Sequence, residues 1–177
     1  LVVNNVPDLA TAFRTTLERW LGNTSDPSRA PELMSSAIVA SLAVVAPELE
    51  RAGDTLGFEA LHAVARNAGS ADTRERAVLS MWRAVGPGCV ETLKATLRDP
   101  DPQVRQAAAF ASYFLGVGAL VPDLVQVGVA DADETVAATA RDAIARIGNM
   151  SLTQTAPSPE RVTAWFDADG VHLDPDI

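Results

Sequence analysis

The sequence predicts an all-α fold, an α/α superhelix of about four antiparallel helix pairs followed by a non-repeat C-terminal tail. Three observations carry that reading. First, a pattern recurs after 32 residues. Asp99-Pro100-Asp101-Pro102-Gln103-Val104-Arg105-Gln106-Ala107-Ala108 leads to Leu115-Gly116, and Asp131-Ala132-Asp133-Glu134-Thr135-Val136 leads to Ala140, Ile147 and Gly148. A fixed period of this size marks stacked structural repeats. Second, apolar residues make up 47% of the 177-residue chain but aromatics only 5%; many small and few large side chains suit close-packed helices better than a β-sandwich. Third, apolar positions fall at helical spacing between short breaks rich in turn formers.

The elements follow in order. Val6-Pro7-Asp8 opens a first helix with Leu9, Ala10, Phe13, Leu17, Trp20 and Leu21 on one stripe, broken by residues 22–27. A second helix is expected over 29–46, with Pro31 tolerated in its first turn. Residues 47–57 read as a connector, or a short helix and a loop. A third helix is expected over 58–68. A fourth is expected over 73–85, with Asp72 as N-cap and Gly86 as its stop. Further helices are expected over 87–98, 102–115 (stopped by Gly116), 119–129, and from 133 or 134 to 147 (stopped by Gly148). The last three pairs align on their terminal glycines at spacings of 30 and 32 residues. The irregular first pair suits a terminal cap. The repeat domain is thus read as 7–148 and the linker and tail as 149–177. Over 161–173 the tail reads either as a short helix capped by Ser158-Pro159-Glu160 or as a hairpin around Asp167-Ala168-Asp169-Gly170. The residue types favour the hairpin.

Charge narrows the partners. The net charge is −9, which argues against nucleic acid and against an anionic membrane surface. Residues 149–177, with five acids and one Arg, are the most acidic part for their length. Cys89 is the single cysteine; it permits no intramolecular disulfide and no Cys-based zinc site, and it fits a reducing, cytoplasmic compartment. No apolar run reaches the length of a membrane span. The chain starts at Leu1 without Met or signal peptide, which reads as an excised domain or a processed product.

Asp99, Asp101, Val104, Arg105, Ala107, Ala108, Leu115 and Gly116 together resemble a HEAT repeat. The likeness extends back through Val90, Leu93 and Leu97. It extends forward through Leu120-Val121-Pro122-Asp123-Leu124-Val125, Asp131, Asp133, Val136, Ala140, Ile147 and Gly148. It is specific over 87–148, looser over 58–86, and only rhythmic over 7–46. The resemblance implies an ARM-type α-solenoid that serves as a protein- or peptide-binding scaffold, although a minority of the family are enzymes, including alkylpurine DNA glycosylases and chromophore lyases. It also implies an inter-repeat polar ladder, here Asp99, Asp101, Arg105, Asp131 and Asp133. Ala137 stands where Arg105's counterpart would be.

Stacking then places Val104, Ala107, Ala108, Ala111 and Leu115 in the core. Gln106, Ala109 and Tyr113 point elsewhere, and the rows in register with them hold Arg76, Arg83 and Arg141. A binding groove of Arg76, Arg83, Gln106, Tyr113 and Arg141 follows, to be weighed against plain solvated side chains in salt bridges.

Candidate chemistry is thin. There is no nucleophile elbow, Walker loop or dinucleotide fingerprint. His62 reads as a satisfied helical histidine, and His172 lies far from it in sequence. Cys89, at a helix start, is either a packing residue or a thiol of lowered pKa. Asp167-Ala168-Asp169-Gly170 lacks the flanking acids of a calcium loop. Paired aspartates 99/101 and 131/133 read as caps rather than acid–base pairs. Trp20, Trp82 and Trp165 would give a glycosylase its aromatics, but the charge opposes it.

The expectation is therefore a non-enzymatic binding module with a protein or peptide partner and no catalytic residue, metal or cofactor. The alternatives are a regulatory or assembly element of a larger chain or homo-oligomer, with Trp165-Phe166 docking on a neighbour, and an enzyme on a helical scaffold.

Overall fold

The computed structural model describes residues 9–148. Among them the fold is all-α: α1 (Leu9–Trp20), α2 (Ala30–Leu33), α3 (Ser36–Arg51), α4 (Leu56–Asn67), α5 (Ala71–Met81), α6 (Cys89–Thr96), α7 (Pro102–Leu115), α8 (Val121–Ala130) and α9 (Glu134–Ile147). Single 3₁₀ turns, Pro27–Arg29 and Gly118–Leu120, lead into α2 and α8. Among the described residues the chain divides into two compact units, 9–88 and 89–148. The Trp165-Phe166 pair, His172 and the helix-or-hairpin segment lie outside the described residues.

In the first unit α4 is central, packed against α2, α3 and α5. Leu56 to Ala65 of α4 are all buried except Glu59. Gly57 lets the backbones of α3 and α4 touch, since a Cβ there would lie 2.7 Å from Ala46 Cα. The helix expected over 29–46 is instead interrupted: Met34 and Ser35 are extended. The interruption buries Met34 and lets the Ser36 hydroxyl donate to Asp72. α3 then continues through Pro47 to Arg51, so most of the expected connector is helix. Pro47 removes one backbone donor. Burial of Leu42, Val45, Ala46 and Leu49 along the same face outweighs that loss.

α5 starts at Ala71 and ends at Met81, earlier than Gly86. The N–H groups of Arg83 and Ala84 both close on Ser80 O at 3.2 and 3.1 Å, tightening the last turn. Gly86 has a different task. A Cβ there would sit 2.4 Å from the Phe58 ring. Asp72 lies within the first turn; the N-cap is Ser70, without a side-chain capping bond.

In the second unit α9 packs against α7 and α8, and α6 against α7. Here local sequence and structure agree closely. Asp101 caps α7 by accepting from Gln103 N at 2.9 Å, with Pro102 at the first helical position. Gly116 closes α7 in the left-handed conformation, φ 65°, where only glycine avoids a steric penalty. Asp133 caps α9 by accepting from Thr135 N and Val136 N. Gly148 ends α9 at φ −79°, so no left-handed turn is needed there. Val104, Ala107, Ala108 and Ala111 are buried, and Leu115 is half-buried. Ala109, expected to face elsewhere, is also buried.

Candidate functional site

The polar groups between α7 and α9 form a built constellation. Arg105 Nε and Nη2 donate to the two oxygens of Asp131 at 2.7 and 2.9 Å. Its Nη1 donates to the carbonyls of Asp99 and Pro100. Asp99 accepts from Asp101 N, and Asp131 from Asp133 N, each at 2.9 Å. Asp101 and Asp133 cap the helices that follow. One guanidinium thus ties two successive Asp-x-Asp loops together. Its bond holds the Asp131 carboxyl below the ordinary carboxylate range, and Asp131 in turn raises Arg105. A forked ion pair of this kind is structural in character.

Arg141 departs from expectation. It is 5% exposed; Nη1 donates to Gly128 O at 2.8 Å and Nη2 to Glu134. α8 approaches α9 at Gly128, where a Cβ would stand 3.1 Å from Arg141 Cγ. Arg141 is therefore a strut between α8 and α9 and lines no exposed groove. Gln106 and Tyr113 are half-buried on α7. In the first unit Arg76 and Arg83 are exposed. Arg76 lies 3.5 Å from Asp72, and the Arg83 guanidinium lies 4.8 Å from the Trp82 ring centre.

Tyr113 has neighbours that the sequence reading passed over. Phe110 is 42% exposed and Phe114 49%. Their rings meet edge to face at 4.8 Å, and Tyr113 meets Phe114 at 5.2 Å. The Arg146 guanidinium stands 6.0 Å from the Tyr113 ring centre. These rings, with Thr139 and Asp142 of α9, line an open groove of about 390 Å³. The missed signal was spacing. Positions 110, 113 and 114 are neighbours on a helix and lie off the 104/107/108/111 core stripe. Large apolar side chains in that position have no core to enter.

A second depression, about 810 Å³, lies in the first unit and is lined by Pro31, Glu32, Glu59, His62, Arg66 and Pro87, among others. His62 is buried. Its Nε2 donates to Pro87 O at 2.8 Å, which leaves Nδ1 as an acceptor, buried without a partner. Burial lowers the His62 pKa, the Pro87 carbonyl opposes that shift, and the nearby Arg66 charge adds to it. His62 is thus a neutral packing residue that pins the 87–88 turn. Cys89 is likewise buried, and burial pushes its thiol up to about 11. Any lowering by the start of α6 is outweighed, and the thiol is not activated. Among the described residues no cluster of His, Cys, Asp or Glu could hold a metal, and no helix is long and apolar enough to cross a membrane.

Residues 58–145 match the family model described as HEAT repeats. No curated protein and no solved structure matches the chain.

Proposed function

We propose, from the premise that this chain belongs to the HEAT-repeat family through residues 58–145, that it is a non-enzymatic protein- or peptide-binding module working through the aromatic groove of α7 and α9. HEAT repeats generally mediate protein interactions and scaffolding. The observation that carries the finer reading is the exposed Phe110 and Phe114, joined by the half-buried Tyr113 beside Arg146. Aromatic rings and Arg are the side chains most enriched at the energetic centres of protein interfaces. A contiguous apolar patch on an acidic surface costs solubility unless something uses it. The exposed Arg76 and Arg83 and the half-buried Gln106 are accessory anchors in this reading, and the buried Cys89 suits a reducing, cytoplasmic setting.

The test is affinity capture from native host extract, comparing wild type with Phe110→Ser and with Arg76→Glu/Arg83→Glu, each checked for helicity by circular dichroism. Loss of one defined partner with Phe110→Ser supports the aromatic groove. Retention of every partner in that variant removes it. Loss with the arginine pair alone moves the working surface to α5 and the turn after it.

A further inference from the structure

The groove of α7 and α9 has a candidate occupant in the chain itself. α9 ends at Ile147 and leads directly into the acidic residues 149–177. In that segment the apolar aromatic side chains are adjacent: Trp165-Phe166. Sixteen residues separate Gly148 from Trp165, and a chain of that length reaches at most about 50–60 Å. Moving back along α9 from Gly148 to Asp142 covers only about 9 Å, and to Thr139 about 13 Å. Reach is therefore ample. A tethered ligand at such range is present at an effective concentration on the order of millimolar.

Charge also matches in order. Along α9, Asp142 lines the groove and Arg146 follows at its rim beside Tyr113. Along the tail, Arg161 precedes the aromatic pair, and Asp167 and Asp169 follow it. With Trp165-Phe166 on the Phe110–Tyr113–Phe114 rings, Asp167, next in sequence to the pair, has Arg146 as its opposite charge. Edge-to-face aromatic contacts of that kind add to the area they bury. We propose that the tail occupies this groove through Trp165-Phe166 and acts as a built-in competitor for the partner. The proposal rests on the reading of the groove as the binding surface.

The experiment uses the full chain labelled with 5-fluorotryptophan at Trp20, Trp82 and Trp165. Fluorine NMR then reads each site, with Trp165 assigned by Trp165→Phe. The expected result is a Trp165 resonance displaced from its position in an isolated 158–170 peptide and unchanged on dilution. It should return toward the peptide position in Phe110→Ser and in Arg146→Glu, and be displaced again when Arg146→Glu is combined with Asp167→Arg. Capture of the partner should rise several-fold in Trp165→Ala/Phe166→Ala.

A Trp165 resonance that coincides with the peptide and ignores Phe110→Ser overturns the proposal. So does one that moves with protein concentration, which would put a second copy in the groove. If Trp165 ignores the groove while Phe110→Ser still abolishes capture, the tail proposal falls and the groove reading stands. If Trp165 responds as expected but capture is indifferent to Phe110→Ser, the tail docks and the groove is not the partner's site.

Discussion

The two units hold their helices by different means. In the first, α4 is buried nearly all round, and its neighbours are placed by contact with it. The N-caps of α4 and α5, Thr55 and Ser70, make no side-chain capping bond, although Asp54 accepts from Leu56 N at the start of α4 at 3.0 Å. In the second, α7 and α9 are each held from the loop end by an aspartate cap and by the Arg105–Asp131 fork. Anchoring from the ends leaves α7 a flank that stability does not require. That flank carries Phe110, Tyr113 and Phe114. In the first unit Phe58 is fully buried, and Phe13, Trp20 and Trp82 are half-buried. One unit is organised around a core helix; the other leaves Phe110 and Phe114 of α7 exposed.

The sharpest test of this contrast sets one phenylalanine against another. Phe58 is fully buried and fills the space that Gly86 leaves. Phe58→Ala should cost about 3–5 kcal/mol in urea unfolding. Phe110→Ala should cost less than about 1 kcal/mol, because its ring already meets water, and it should weaken partner capture. Equal losses of stability from the two would mean that the α7 flank is core, and the contrast would collapse.

Next in size is the fork. Arg105→Ala leaves the Asp131 carboxylate without its charge partner and held only by the Asp133 N–H, so a loss of about 3 kcal/mol is expected. The same pair gives an acid-side signature. The folded pKa of Asp131 is depressed, chiefly by its bond to Arg105. Its contribution is thus present above the unfolded carboxylate range and is lost as pH falls toward the folded value. Stability measured from pH 6 down to pH 3 should fall less steeply in Asp131→Asn than in wild type. Parallel curves would show that the fork does not report on folding.

His62 supplies the first unit's own pH dependence. Its folded pKa lies below the ordinary 6.5, mainly through burial. Above that value both states are neutral and nothing is gained. As pH drops below it, the unfolded chain takes up a proton that the folded chain resists, so stability falls. His62→Gln should flatten the curve between roughly pH 6.5 and 5, at the cost of some packing against Phe58. A curve that keeps its full slope would exclude His62 as the source.

The sequence disclosed these units unequally, for a physical reason. Asp101-Pro102 and Gly116 announce the ends of α7 through local bonds that operate whatever surrounds them. α7 was accordingly read at 102–115, the bounds it has. The break at Met34-Ser35, the passage of α3 through Pro47 and the early end of α5 depend on what packs against them, and no local signal encodes that. The site divides the same way. The Asp-x-Asp and Arg105 pattern was visible as a motif, whereas the burial of Arg141 follows from the approach of α8 at Gly128. Phe110 and Phe114 were visible as residues, but their exposure becomes evident only once the core stripe of α7 is fixed.

The smallest expected effect makes the finest distinction between the units. Asp133 accepts from two N–H groups at the start of α9, at 2.9 Å from Thr135 and 3.4 Å from Val136. Ser70 holds the equivalent position before α5 without a side-chain bond. By residue type alone, serine and aspartate are comparable caps, so composition predicts similar losses on truncation. Geometry predicts otherwise. Asp133→Ala should cost about 1 kcal/mol, and Ser70→Ala only a few tenths at most. Differential unfolding of the two variants at pH 7 can resolve that gap. Equal losses would mean that Ser70 caps α5 in solution and that both units are held from their helix ends. Unequal losses would leave burial around α4 as what fixes the first unit's helices, and aspartate capping as a device of the second.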